Sequence, residues 1–352
     1  MIEKRREQSW DFVKFLMMFL IIFGHICPSG KLWTPVTRII GLCAIPGFFF
    51  VSGYFQSHIT NSMDLIAKYR KSLMRIVIPM LSWGVIYVVL SLIVQMFSGN
   101  ISNVYDIFLF LKYSPYYIAG IYWFLTALLY CVIIGSLFSW MIHKNKLIGL
   151  LLTAVSPICF CFVSPYFMEH YHFSFIWLFY VAGILYKYIG NLMNQKIHIP
   201  WNLLFIILFI IVVIVGVQFD PQLTFYYTAN LIEKTSLGFV VLRYFLYIIA
   251  TISVIYGILL FYNSYKGKQV VTTLAFYGAD TLFIYCSHVL VLVFLYRPFL
   301  LPYLYHEHGS WIVRVFEHVV GLIVSILMYW MMQKLCLYLK QFRWMRTFLM
   351  GT

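Results

Sequence analysis

The residues whose types and spacing could do chemistry are concentrated in the first apolar stretch, which contains Asp11, Lys14 and His25. An ionisable side chain inside a membrane-spanning helix costs about 2.5–3.5 kcal/mol on insertion scales, so each one requires a partner or a function. Lys14 and His25 are eleven residues apart, which places them on nearly one helical face, about 16 Å apart along the axis. His25 could accept a proton near neutral pH, or it could bond a carbonyl of a neighbouring helix. Asp11 could form an ion pair with Lys14.

Further polar and aromatic candidates lie in later apolar stretches. His288 could contact reacting groups or bond a neighbouring helix. Ser52 precedes Gly53, and the pair could supply a hydrogen-bond donor, although close helix packing is the favoured role. For Tyr122 and Trp123 an aromatic belt at the membrane surface is the ordinary explanation, and a surface for stacking sugars is the alternative.

A cationic cluster formed by Lys68, Arg70, Lys71 and Arg75 precedes the third apolar stretch. Arginine binds phosphate groups through two parallel hydrogen bonds. Positive charge beside a membrane span is also an ordinary determinant of topology. For Lys68 and Lys71 topology is the better explanation.

Two histidine-rich stretches could hold a metal ion, but their spacing is not that of a zinc site. They are Glu169-His170-Tyr171-His172 and His306-Glu307-His308. We expect both to be solvated loops, and we expect neither a metal nor a permanently bound cofactor. The sequence also contains no phosphate loop, nucleophile elbow or dinucleotide fingerprint.

The elements that must position these residues are membrane-spanning helices. The chain has 352 residues, of which 63% are apolar and 10% charged, with a mean hydropathy of +0.88. A soluble domain has about 25% charged residues, so a water-soluble fold is excluded. Continuous apolar runs predict an all-α fold, because period-two alternation typical of a barrel is missing. About ten spans of roughly 20 residues fit the length, as one membrane domain over residues 1–352 without a separate soluble domain. They are predicted near 12–28, 39–57, 74–97, 118–141, 147–164, 173–189, 202–218, 240–262, 273–296 and 311–333.

The net charge of +14 reflects membrane topology and not nucleic-acid binding. If the N-terminus is cytoplasmic, eighteen Lys and Arg residues fall on the cytoplasmic side and seven outside. This asymmetry predicts an even number of spans with both termini cytoplasmic.

The seven cysteines all lie in apolar stretches and are interpreted as buried thiols.

Several short motifs resemble, in order, those of the membrane acyltransferase 3 family. Lys14 followed eleven positions later by His25 is similar to that family's basic residue, ten residues, then histidine. The chain departs from the family pattern at Ser72, where the family often has the first arginine of Arg-x-x-Arg. The other matching strings are Phe48-Phe49-Phe50-Val51-Ser52-Gly53, Arg75-Ile76-Val77-Ile78-Pro79, Tyr122-Trp123-Phe124-Leu125 and Tyr285-Cys286-Ser287-His288.

This resemblance implies an O-acyltransferase, first of all an O-acetyltransferase, that uses cytoplasmic acyl-coenzyme A. The implied acceptor is a hydroxyl of a surface or exported carbohydrate or glycolipid. His25 would act as base or as transient acyl carrier, and Arg75 is the best candidate for binding the donor phosphates. The resemblance implies three groups of site residues. The catalytic group is His25, Lys14 and Asp11, the donor-binding group is Arg75, Arg70 and Lys71, and the further candidates are His288, Ser52, Tyr122 and Trp123.

The expected location is the bacterial cytoplasmic membrane, crossed several times. Expected partners are acyl-coenzyme A, the acceptor, the bilayer and proteins of envelope glycan biosynthesis, but not nucleic acid. The alternative function is a transporter or exporter of a polysaccharide or lipid-linked glycan, in which Lys14, His25 and His288 line a polar pathway. Transporters often show internal repeats with broken helices, and no such repeat is found.

Overall fold

The computed structural model describes residues 7–26, 35–101, 103–167, 173–193, 207–208, 210, 237–304 and 311–351. Over these residues the chain is helical and contains no strand, which confirms the predicted all-α fold class. The α-helices, numbered in chain order, are α1 Gln8–Ile26, α2 Pro35–Tyr54, α3 Ser62–Ser72, α4 Ile78–Phe97, α5 Val104–Ile121, α6 Trp123–Lys144, α7 Lys146–Phe167, α8 Phe173–Met193, α9 Leu237–Tyr265, α10 Gln269–Tyr277, α11 Thr281–Val291, α12 Leu301–Leu304, α13 Trp311–Leu339 and α14 Arg343–Met345. Wider π-helical turns occupy Leu73–Val77, Leu292–Leu300 and Arg346–Met350, and Gly278–Asp280 forms a 3-10 turn.

Several of these helices can cross a membrane, so the protein is a multi-pass membrane protein. Six in the described ranges are long and apolar enough: Gln8–Ile26, Ser62–Phe97, Trp123–Lys144, Tyr247–Tyr265, Gln269–Leu300 and Val315–Leu339. Three apolar helices are shorter over their described side chains: Cys43–Tyr54, Lys146–Phe160 and Phe175–Tyr188. Each of these overlaps a predicted span, and the remaining prediction at 202–218 lies almost wholly outside the described residues. Ten spans with cytoplasmic termini therefore stay a prediction.

The third predicted span is part of a longer continuous helix, Ser62–Phe97. The chain enters it at Asn61, whose side chain accepts a hydrogen bond from the backbone N–H of Asp64. Pro79 follows the π-helical turn Leu73–Val77 and lies in the first turn of α4. Inside a continuous helix a proline removes one backbone hydrogen bond, and here the irregular π-helical turn lies directly before it. The helix therefore continues through a residue that usually marks a boundary.

The fourth predicted span, 118–141, is divided at Tyr122. This residue leaves the helical region, with φ −99° and ψ 28°, and its N–H closes helix α5 by donating to the carbonyl of Ile118. Helix α6 then starts afresh at Trp123. The preceding stretch, which the predicted spans leave as a connection between residues 97 and 118, is helix α5 from Val104.

Helix α1 lies in the interior of the helix bundle and packs against α2, α9, α10, α11 and α13. Its apolar side chains belong to the main core, which includes the fully buried Val13, Met17 and Ile22. Lipid and the protein interior are equally apolar, so the hydrophobic effect does not drive these helices together. Dispersion contacts between their closely packed side chains hold them in place instead. As a result α1 and the later helix α11 run side by side.

Candidate active site

His25 of α1 and His288 of α11 are brought together, although 263 positions separate them in the sequence. Their ring centroids lie 5.7 Å apart, with the ring planes inclined by 31°. Both residues line one cavity of about 260 Å³. His25 is exposed to this space, whereas His288 is buried with 1% of its surface accessible.

The ring of His288 is held by its own helix. Its Nδ1 lies in hydrogen-bond contact with the carbonyl oxygen of Tyr285. Because a carbonyl only accepts, Nδ1 carries the proton and Nε2 of the neutral ring is left as an acceptor. The ring of Tyr285 lies 5.4 Å from that of His288 between centroids, so its position is restrained from two directions.

His25 has no such restraint. Within the described part of the chain, the ring of His25 has one ring–ring contact, with His288. No described residue forms a hydrogen bond with the imidazole of His25. The structural explanation of this histidine requires a carbonyl of a neighbouring helix, and no described carbonyl bonds the ring. An imidazole that no described residue hydrogen-bonds, beside an open cavity, can exchange a proton with a bound hydroxyl.

Aromatic side chains form much of the cavity wall. Trp123 and Phe124 come from the start of α6, Tyr87 from α4 and Tyr285 from α11. Rings with flat apolar faces and a polar edge suit the faces of a sugar. The break at Tyr122 places Trp123 at the first position of α6. Trp123 thus lines the cavity that holds both histidines.

Tyr122 itself does not line this cavity. Its side chain is fully buried at 0% exposure, and its hydroxyl donates to the carbonyl of Cys286, 3.4 Å away in α11. A buried hydroxyl bonded to a backbone carbonyl satisfies both groups. Tyr122 therefore ties α6 to the helix that carries His288.

Lys14 and Asp11 form the ion pair that their spacing predicts. Lys14 Nζ lies 2.5 Å from an Asp11 carboxylate oxygen, and the lysine side chain is 26% exposed. Neither residue lines the histidine cavity. On α1, Lys14 lies about three helical turns before His25, about 16 Å along the axis, and Asp11 lies about one turn further away.

Ser52 and Gly53 are packing residues in this structure. Ser52 Oγ donates to the carbonyl of Phe48 in its own helix, at 2.8 Å. A Cβ on Gly53 would lie 1.9 Å from the carbonyl oxygen of Tyr180 in α8. Helices α2 and α8 can approach this closely only because residue 53 lacks a side chain.

The cationic cluster forms a second region, which shares no lining residue with the histidine cavity. Arg70 and Lys71 are exposed at the end of α3 and border an open depression of about 510 Å³. Ser72 is buried, so the position where the family often has arginine points away from solvent. Lys68 Nζ donates to Ser57 Oγ at 3.0 Å, which supports a structural role for this lysine.

Arg75 is exposed and lies in the π-helical turn Leu73–Val77. The last described residues pack against the backbone of Arg75. Gly351, with φ +67°, lies so close that a Cβ added to it would be 2.4 Å from the carbonyl oxygen of Arg75. One residue away, Met350 is buried. Trp83 Nε1 donates to the carbonyl of Leu349 at 3.0 Å. The backbone that carries Arg75 is thus supported by the segment Arg346–Met350.

A family model described as an acyltransferase domain matches residues 7–330. The chain belongs to the acyltransferase 3 family. The match extends from the first turn of α1 into α13 and so includes both histidines, the aromatic wall and the cationic cluster. Comparisons with curated proteins and with solved structures gave no match.

Membership in the acyltransferase 3 family makes this an acyl-transferring membrane enzyme.

The cavity also contains residues that the sequence analysis did not select as site residues. Arg297, in the turn Leu292–Leu300, lines it together with Tyr87. In the sequence analysis Arg297 is one of the seven Lys and Arg residues counted outside, with no further role. Tyr285 was part of a quoted motif but had no role. The sequence does contain an indication of a role for Tyr285, because this residue begins the Tyr-x-x-His motif that ends at His288.

The two histidine-rich stretches at 169–172 and 306–308 lie outside the described residues. Within the described ranges no group of three or more His, Cys, Asp or Glu side chains could hold a metal ion. Of the described cysteines, Cys43, Cys131, Cys286 and Cys336 are buried as predicted, whereas Cys159 is exposed, and these five form no disulfide bond with one another.

Proposed function

We propose that this acyltransferase 3 protein transfers an acyl group, in the first place acetyl, from acyl-coenzyme A to a hydroxyl of a surface or exported carbohydrate. The observation that carries the proposal is the pair of imidazoles 5.7 Å apart in a cavity walled by aromatic rings. An acid–base group beside a surface that suits sugar rings is what O-acylation of a sugar requires.

In the proposed reaction His25 is the general base. The acceptor hydroxyl oxygen attacks the thioester carbonyl carbon while a nitrogen of His25 takes the hydroxyl proton. When the tetrahedral intermediate collapses, the C–S bond breaks and the imidazolium returns the proton to the departing thiolate. The products are the O-acyl ester and free coenzyme A, and the imidazole is regenerated.

His288 acts on the same reaction as a fixed neighbour. With Nδ1 donating to Tyr285, its Nε2 can accept a hydrogen bond from the acceptor or from the imidazolium of His25. The buried position of His288 and the exposed position of His25 favour His25 as the group that meets the substrate. A transient acyl-histidine on His25 is the second form of the same proposal.

The donor would be held through its phosphates by Arg75, with Arg70 and Lys71 beside it. Exposed guanidinium and ammonium groups bind phosphate by charge-assisted hydrogen bonds. Coenzyme A joins these phosphates to its thioester through a long flexible arm, which allows a cationic entrance and a separate reaction cavity. Lys14 and Asp11, nearer the start of α1 than His25, would line the route of that arm.

The proposed setting is the bacterial cytoplasmic membrane, with proteins of envelope glycan biosynthesis as partners. A deletion strain complemented with wild type, His25→Ala or His58→Ala tests the function. His58 is the matched control, because its ring lies 5.6 Å from that of His143 and outside the histidine cavity. Mass spectrometry of envelope and secreted glycans, before and after mild alkali, measures O-acyl esters.

Esters restored by wild type and His58→Ala but not by His25→Ala are the expected result. A glycan that is missing in the deletion strain and returns without esters with every version would instead identify an exporter. Immunoblots of the membrane fraction establish that the three versions are present in equal amounts.

A further inference from the structure

Of the described residues that line the histidine cavity, Arg297 is the one with a permanent charge. Among the described residues, no aspartate or glutamate lines the cavity, and no carboxylate forms an ion pair with Arg297. The side chain is exposed to the cavity. With no counter-ion among the described residues, the guanidinium of Arg297 is placed to pair with a ligand that brings a negative charge into the cavity.

The position of Arg297 is fixed relative to His25. Arg297 follows Tyr296 in the π-helical turn Leu292–Leu300. The buried hydroxyl of Tyr296 donates to the carbonyl of Ile26, the residue after His25. A π-helical turn is rare and is often found at functional sites. Here it joins the cation to the end of α1 that carries the base.

We propose that Arg297 binds an anionic group of the acceptor, so that the enzyme selects a sugar bearing a carboxylate or a phosphate near the hydroxyl it acylates. This inference rests on the proposed function and names its substrate class. The guanidinium pairs with either oxyanion through two parallel N–H donors. The aromatic rings of Trp123 and Tyr87 contact the sugar ring, and His25 meets the neighbouring hydroxyl.

Purified protein in lipid nanodiscs, supplied with labelled acetyl-coenzyme A, tests the inference with three matched acceptors. One oligosaccharide carries a uronic acid, the second carries a sugar phosphate at the same residue, and the third carries the neutral hexose. The variants are Arg297→Gln and Arg297→Lys. Lys112→Gln is the charge-matched control, because Lys112 is exposed on α5 and does not line the cavity.

Wild type is expected to prefer one or both anionic acceptors, and the preferred one identifies the anion. Arg297→Gln is expected to raise the KM for that acceptor roughly tenfold to a hundredfold, the range for a lost charge-assisted hydrogen bond. The KM for the neutral acceptor and for acetyl-coenzyme A should stay unchanged. Arg297→Lys should recover part of the loss, since an ammonium keeps the charge without the planar fork.

A loss by Arg297→Gln that is equal for anionic and neutral acceptors would overturn the inference, because it would assign the cation to the reaction or to folding. Unchanged kinetics would overturn it as well. Equilibrium binding of the three oligosaccharides, followed by quenching of tryptophan fluorescence, separates this inference from the proposed function. Tighter anion binding that depends on Arg297 in a protein without transfer activity would support the binding site and contradict the reaction.

Discussion

The contact between Gly351 and Arg75 makes Gly351→Ala a sharp test of the donor site. A Cβ at this position would lie 2.4 Å from the carbonyl oxygen and 2.8 Å from the Cα of Arg75, where ordinary contact begins at 3.4 Å. Both atoms belong to backbone, which cannot rotate away, so the two segments must separate by about 1 Å. A misplacement of about 1 Å can cost about a hundredfold in rate when it moves a reacting group.

Arg75 is proposed to bind phosphate and not the reacting atoms, so the effect should fall on donor binding. A weakened charge-assisted hydrogen bond predicts an increase of at least about tenfold in the KM for acyl-coenzyme A. The kcat at saturating donor should change little. Initial rates over a range of donor concentrations, with purified protein in nanodiscs, measure both constants.

Gly99→Ala is the matched control for backbone strain. Gly99 has φ +74°, close to the φ +67° of Gly351, but nothing lies within 4 Å of its added Cβ. Both variants incur the left-handed penalty of roughly 1–2 kcal/mol. Trp83→Phe, which removes the hydrogen bond to Leu349, gives a second perturbation of the same support. Equal donor KM values for Gly351→Ala and Gly99→Ala would refute the reasoning.

Two further predictions concern packing and the cavity wall. Gly53→Ala should lower the thermal unfolding midpoint of the detergent-solubilised protein, because its Cβ would lie 1.9 Å from the carbonyl oxygen of Tyr180; overpacking costs typically 1–3 kcal/mol. Gly257→Ala, where nothing lies within 4 Å of the added Cβ, should leave the midpoint nearly unchanged, and equal midpoints would contradict the close approach. Trp123→Leu should raise the KM for the carbohydrate roughly fivefold to a hundredfold, because stacking of a nucleic-acid base on an aromatic ring contributes about 1–3 kcal/mol and a sugar is expected to behave similarly; the donor KM should stay unchanged. A rise confined to the donor KM would remove Trp123 from the acceptor side.

The fold class and the local contacts could be predicted because they depend on composition and short spacing. Continuous apolar runs predict helices, and the three-residue spacing of Asp11 and Lys14 predicts the ion pair observed. The break at Tyr122 could not be read from its neighbours, which are apolar on both sides. Helix α5 was missed because Pro115 and nearby polar residues are typical of a loop, although Asn103 caps its first turn.

The site could be predicted only in part, because its members meet through tertiary packing. Spacing within α1 identified His25, and the resemblance to a family identified His288, but neither indicates how two helices so far apart in sequence are packed. Arg297 was counted as an outer charge, since no short motif surrounds it. The support of Arg75 by Gly351 joins residues 276 positions apart and has no local signal.

The central claim, that His25 takes the acceptor's proton during acyl transfer, is tested most directly by single-turnover transfer with purified protein. Wild type, His25→Ala and His58→Ala are mixed in nanodiscs with labelled acetyl-coenzyme A and excess carbohydrate, and alkali-labile label on the carbohydrate is counted over time. We predict equal rates for wild type and His58→Ala, and a loss of at least about a hundredfold for His25→Ala, as general base catalysis contributes about 10²–10⁴-fold. Transfer by His25→Ala at the wild-type rate would contradict the claim.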